Sequence, residues 1–381
     1  MKNWRYRALM GLLLLGFGVA MAGVPAVLER EPAAADPITA QAAGVAQWLD
    51  PALSGGAPDT GSDLFDDEWT FGAWQMAALG FAQHATTHPD ARTSDLASMD
   101  LCLERVVSDR GRAFDTGQWG VDPLQALDGT TGHAAWLGYT NLDLSARRAL
   151  EPEGRWAALN DQLSEAIVRR LEADLLPETY PGQRYPVDVA AGVASVGLWA
   201  KATGRPEPDV LARWRTALRD RWIVDGMLAQ TARADGSPGV ARGSGTFLAS
   251  WFLSFWAPDL AKDLYFSGRD QLLVSMGPLV AMREYAPGVD GRGDIDSGPI
   301  VAGMGVSATG FAIGAARAAG DERTARQLES SAALIGQPET VDGATHWKTG
   351  KALGSAPLAD AILFAMMGTP RRVGGTLLDP G

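Results

Sequence analysis

Six segments of this chain are unusually rich in small residues and poor in charge: 69–85, 133–150, 187–202, 246–258, 299–319 and 356–368. Their starts fall 53 to 64 residues apart, a repeat of roughly 57. Between them run more amphipathic, charged stretches of helical length: 93–107, 155–174, 209–224, 262–284 and 322–335, with an early partner at 41–49. A helix that is apolar all round has to be buried, whereas an amphipathic one can face water. Alternation of the two kinds therefore predicts an inner ring of helices wrapped by an outer ring. The expectation is an all-α chain of about twelve helices in six hairpins, an (α/α)6 toroid, with an open helical-repeat solenoid as the alternative architecture.

The composition narrows the function classes. Of the 381 residues, 46% are hydrophobic and 20% charged, as expected of a packed globular protein rather than a disordered or polytopic one. The formal net charge of -12 repels phosphate backbones, so nucleic acid is not an expected partner. The sole cysteine, Cys102, rules out internal disulfides and Cys-based zinc sites, and its setting between Leu101 and Leu103 reads as a core thiol.

Lys2, Arg5 and Arg7 precede an uncharged run over 8–28 that contains Ala20-Met21-Ala22, a small-residue cleavage pattern. The run is also long enough to span a bilayer, so it reads either as a cleaved signal peptide or as a membrane anchor. Both place the acidic body outside the cytoplasm, in a periplasmic or extracellular compartment. The expected organisation is signal or anchor over 1–28, linker over 29–40, one barrel domain over 41–370 and a tail over 371–381.

In such a toroid the loops entering the inner helices gather at one end, and those loops should carry the chemistry. The first, 57–68, holds Asp59, Asp63, Asp66, Asp67 and Glu68, followed by Trp69. The second, 114–133, holds Asp115, Trp119, Asp122, Asp128 and His133, and the third, 178–188, holds Tyr180, Arg184, Tyr185 and Asp188. The fourth, 234–245, holds Asp235 and Arg242; the fifth, 285–298, holds Asp290, Asp294 and Asp296; the sixth holds Asp342, His346, Trp347 and Lys348.

An acid before a helix can be an ordinary N-cap, and this reading covers any one of Glu68, Asp122, Asp188 and Asp296. Asp188 follows the stiff Tyr185-Pro186-Val187 stretch, and Asp294 and Asp296 precede a Gly-Pro helix start. Desolvation at such a position raises a carboxyl pKa and makes a general acid, while a better hydrated carboxylate stays charged as base. That pairing is what glycosidic cleavage needs, which singles out Asp188 and Asp296. His133 opens an inner helix among small residues and reads either as a core histidine or as an acid/base group. Trp119, Trp347, Tyr180 and Tyr185 lie in loops where aromatic faces could stack on sugar rings. No dinucleotide, phosphate-loop, zinc-protease or serine-hydrolase motif is present, and neither a cofactor nor a metal is expected.

Gly120-Val121-Asp122-Pro123, followed by Gly132-His133 at a helix start, resembles linalool dehydratase/isomerase, an exported (α/α)6 family of bacterial terpene metabolism. The likeness continues through 185–199 and 290–319. The resemblance implies acid/base groups in a mostly apolar cavity, with the family's histidine at His133. The family also has two cysteines in the segment matching 180–191; this chain has neither, and Asp188 stands near one of those positions.

Three readings follow. The first is an exported glycoside hydrolase acting on an envelope or extracellular glycan, with Asp188, Asp296 and His133 catalytic and with Asp122, Glu68, Trp119, Tyr185, Arg184, Asp294 and Trp69 lining the subsite. The second, implied by the resemblance, is a lyase or isomerase of a terpene alcohol, with Asp188 as proton donor and His133 on the hydroxyl. The third is a non-catalytic glycan-binding or assembly protein in which the acids are caps.

Overall fold

The structure is a computed structural model and describes residues 36–49, 62–294, 297–352, 356–371 and 375–379. The expected signal or anchor segment and Asp296 lie outside the described residues.

Six helices form the inner ring: α2 (Asp63–Thr87), α5 (Ala134–Leu150), α7 (Pro186–Thr203), α9 (Gly243–Leu253), α11 (Val306–Ala319) and α14 (Ala356–Met367). Each contacts the next, and α14 returns to α2, so the ring closes. Around it lie α1 (Pro37–Leu49), α3 (Arg92–Val106), α6 (Ala157–Ala173), α8 (Asp209–Ala217), α10 (Pro258–Leu272) and α12 (Glu322–Gly336). This is the (α/α)6 toroid, all-α in its architecture, that the alternating pattern predicts. α1 begins at Pro37, inside the stretch expected to be linker.

The inner helices are apolar all round because they touch protein on every side. In α7 every residue from Pro186 to Ala200 is buried. Glycine sets how closely two of them approach: a Cβ at Gly138 of α5 would stand 2.9 Å from the Gly192 nitrogen and 3.0 Å from the Asp188 carbonyl oxygen of α7. The backbones of α5 and α7 therefore meet directly.

The connections into the inner helices hold more regular structure than the sequence pattern predicts. A helix, α4 (Asp109–Trp119), occupies the start of the expected loop 114–133; Ser108 caps it by accepting from Gly111 N, and Gly120 ends it in the left-handed region. The expected helix 262–284 stops at Leu272. It gives way to a hairpin of β3 (Leu273–Met276) and β4 (Leu279–Met282), whose turn carries Gly277 at φ 59 and then Pro278, which cannot continue a helix.

Among the described residues three further two-stranded hairpins occur: β1 (Ile223–Val224) with β2 (Met227–Leu228), β5 (Ile300–Val301) with β6 (Met304–Gly305), and β7 (Pro338–Val341) with β8 (Ala344–Trp347). Their turns are Asp225-Gly226, Ala302-Gly303 and Asp342-Gly343, both residues of each at positive φ, the two-residue turn whose twist matches paired strands. Asp342 is thus a turn residue, and the helix expected over 299–319 starts only at Val306. A short helix, α13 (Lys348–Ala352), leads from β8 towards α14.

Candidate active site

The N-terminal ends of α5 and α7 bring together several polar groups in unusual settings. Tyr185 is extended at φ -117 and Pro186 takes the first helical position of α7, which places Asp188 in the first turn. An acid there ordinarily caps backbone N–H groups, yet the Asp188 carboxylate turns inward. Its Oδ1 accepts from the Tyr139 hydroxyl at 2.5 Å and its Oδ2 from the Thr179 hydroxyl at 2.6 Å. Asp188 is 8% exposed. Burial pushes its pKa up to about 6, against the pull of the Thr179 and Tyr139 donors, which favour the charged form.

Tyr139 reaches Asp188 because Gly138, its neighbour, lets α5 lie against α7. It is the one residue between Ala134 and Arg147 of α5 that is only partly buried. The ring centroids of Phe252 and Phe71 lie 5.4 and 6.4 Å away. Burial and the Asp188 charge raise the phenol pKa well above its usual value, so Tyr139 stays a donor. Glu68 of α2 accepts from the Tyr180 hydroxyl at 2.8 Å, and both groups are close enough to Tyr139 to act on its phenol electrostatically.

His133 stands beside this cluster. Gly132 and His133 are both left-handed, at φ 70 and φ 60, immediately before α5. For a histidine this conformation is uncommon, and such strain concentrates at functional sites. A Cβ at Gly132 would fall 2.6 Å from the Trp119 ring, so glycine is required there for packing as well. The Trp119 ring centroid is 5.0 Å from that of His133, and Trp119 Nε1 donates to the Thr179 carbonyl at 3.1 Å. Asp115, four residues before Trp119 on α4, places Oδ2 2.5 Å from His133 Nδ1. Asp115 is fully buried; burial raises its pKa, and the His133 contact opposes that. His133 is itself 3% exposed; with Nδ1 held by a carboxylate, Nε2 is the ring nitrogen that remains for another partner. Thr179 thus joins the two halves, its carbonyl on Trp119 and its hydroxyl on Asp188.

Of the residues expected from the sequence, Asp188, His133, Trp119 and Glu68 share this end of the barrel. Trp69 is half-buried next to Glu68, and Tyr185 donates to Gln183 Oε1 at 2.9 Å. Three others are engaged in holding loops. Asp122 accepts from Arg112 Nε and from Leu124 N, both at 2.8 Å. Arg184 is tied to Asp174 and the Leu176 carbonyl. Asp294 forms a two-pronged pair with Arg242 at 2.6 and 3.0 Å and accepts from Ser297 N, which keeps its pKa low despite partial burial. Trp347, expected to offer a stacking face, is 3% exposed and packed over Gly336 instead. His346 and Trp347 N both bond Asp360 at the seam between β8 and α14. Tyr139 and Thr179 join the site without having been singled out by the sequence pattern, and Asp115, one of the acids of the second loop, proves to be the partner of His133.

No protein-family model matches the chain. A stretch of 69 residues, 18% of this chain, is 42% identical to Tubby-like F-box protein 3 of Oryza sativa subsp. japonica, and spans 15% of that protein's length. Among solved structures, the chain is similar to the GH76A alpha-1,6-mannanase from Salegentibacter sp. HEL1_6 with a TM-score of 0.48 and 11% identity, over 86% of this chain and 98% of that one. An inactive variant of the same mannanase in complex with alpha-1,6-mannotriose gives a TM-score of 0.49 and 11% identity, over 87% and 98% of the two chains.

Proposed function

We propose that this chain is an exported acid/base enzyme, a glycoside hydrolase acting on an envelope or extracellular glycan, with Asp188 as the proton donor. The observation that carries the reading is the buried Asp188 carboxyl, held between Tyr139 and Thr179, with a pKa of about 6. A carboxyl so placed keeps its proton up to about pH 6 and can give it to a glycosidic oxygen as the bond breaks. Glu68, half-buried and held by Tyr180, is the second carboxylate, and it activates water or attacks the sugar carbon. The His133–Asp115 pair beside it orients a substrate hydroxyl or takes its proton. The basic and apolar N-terminal segment supports export, and so a glycan of the envelope or the medium as substrate.

A second reading draws on a different observation. The Tyr139 ring, whose hydroxyl meets the Asp188 carboxyl, lies beside the rings of Phe71 and Phe252, apolar neighbours suited to a terpene alcohol. Protonation of the hydroxyl by Asp188 and removal of a carbon-bound proton by His133 would then give dehydration. One experiment separates the two: the purified chain and its Asp188→Asn variant are offered glycans and terpene alcohols in parallel. Reducing ends released by the parent alone support the hydrolase; diene or rearranged alcohol supports the lyase; silence on both overturns the two together.

A further inference from the structure

Arg170, on the outer helix α6, is 1% exposed, and among the described residues it has no carboxylate within ion-pair distance. Its guanidinium bonds carbonyl groups alone. Nε donates to Gly132 O at 3.0 Å, Nη2 to Ala126 O at 2.6 Å, and Nη1 to Leu127 O at 3.3 Å and Ala166 O at 3.1 Å. Three of these four acceptors belong to the segment that ends at His133. A buried cation without a paired anion is costly, and a sequence retains one where its position matters. Burial lowers the Arg170 pKa to about 10, so it remains charged at neutral pH. Asp115, the carboxylate that holds His133, is close enough to act on it electrostatically.

We infer that Arg170 is a positioning residue for His133: its fork holds the Gly132 carbonyl at the left-handed turn that sets the histidine, and the Ala126 and Leu127 carbonyls of the segment that leads to it. The inference rests on the reading of His133 as an acid/base group. Neighbouring Arg169 supplies the contrast. It donates to Leu127 O at 2.9 Å, yet it touches neither Gly132 nor Ala126, and its side chain is 38% exposed. Arg169 braces the loop from outside, whereas Arg170 reaches through to the residue beside the histidine.

The test uses the full chain and needs no substrate. The His133 ring is titrated by NMR, assigned with His133→Asn, and its carbethoxylation rate is measured in Arg170→Gln, Arg170→Lys and Arg169→Gln. Loss of the fork frees the Gly132–His133 turn, so the His133 ring signals shift and its carbethoxylation rate changes several-fold in Arg170→Gln. Arg170→Lys keeps the charge without the fork, and carbethoxylation of the loosened ring changes there too. Arg169→Gln behaves as the parent. An Arg170→Gln protein whose His133 titrates and reacts as in Arg169→Gln overturns the inference. Should Arg170→Gln fail to fold, Arg170→Lys decides, and unchanged His133 reactivity there overturns it. Glycan release plays no part in these readouts, so failure of the hydrolase reading leaves a distinct signature: a shifted His133 in a protein that releases no reducing ends.

Discussion

The Tyr139 hydroxyl donates to Asp188 Oδ1 at 2.5 Å, across the crossing of two inner helices whose backbones touch at Gly138. This contact joins a phenol that keeps its proton to a carboxyl that titrates near neutral pH, and it makes the acid's strength depend on helix packing.

If Asp188 must be protonated to act, activity falls as pH rises through about 6, approaching tenfold per pH unit above it. The carboxyl pKa is higher in the fold than its ordinary 3.8, so ionisation opposes folding and stability falls as pH rises from ~4 to about 6. Relative to the parent, Asp188→Asn should therefore gain up to ~3 kcal/mol between pH 4 and pH 7, because each pH unit between the unfolded and folded pKa is worth ~1.36 kcal/mol. Urea denaturation at the two pH values checks this; a constant difference between the proteins would refute it.

Tyr139→Phe removes a donor that favours ionised Asp188. The Asp188 pKa should rise further, moving the alkaline limb of the activity profile up by ~1 pH unit, while the fold is kept. A pH–rate profile of the two proteins is the measurement.

His133→Asn should keep the structure, because asparagine tolerates the left-handed backbone that His133 adopts at φ 60. Turnover should drop by ~10²–10⁴ through loss of the acid/base group. Thermal melting beside turnover distinguishes this from unfolding, which would lower both.

Gly138→Ala forces a methyl group into the α5–α7 crossing and should cost ~1–3 kcal/mol. By pushing Tyr139 away from Asp188 it should also move the pH limb in the direction of Tyr139→Phe. Gly117→Ala is the counterpart, since nothing lies within 4 Å of its Cβ in α4; alanine there should stabilise by ~0.5–1 kcal/mol. Denaturation midpoints of the two variants should move in opposite directions.

The ring of inner helices is legible in the sequence because burial on all sides leaves a compositional mark, and Asp188 and His133 because each stands where a polar group enters such a segment. Their partners are harder to read. Tyr139 is one tyrosine within a helix of small residues, and only the crossing with α7 shows that it faces a carboxyl 49 residues away. Asp115 and Trp119 read as loop residues because α4 is short and polar; as one helical face they hold and stack on the same histidine. The hairpins do carry a signal. Val224-Asp225-Gly226-Met227 and Val341-Asp342-Gly343-Ala344 are Asp-Gly turns between apolar residues, a pattern for paired strands that a search for helical loops passes over.

The ring closes where α14 meets α1 and α2, and there Asp360 accepts from Trp48 Nε1 at 2.7 Å across 312 residues of chain. In an open stack of hairpins each repeat could settle on the one before it as soon as it was made. Here α2 keeps an uncovered apolar flank until α14 arrives, so the barrel cannot finish folding before that helix has been made. Contacts at such separation fold slowly. If the chain crosses a membrane unfolded on the export route proposed above, it stays threadable until α14 has followed α2 through.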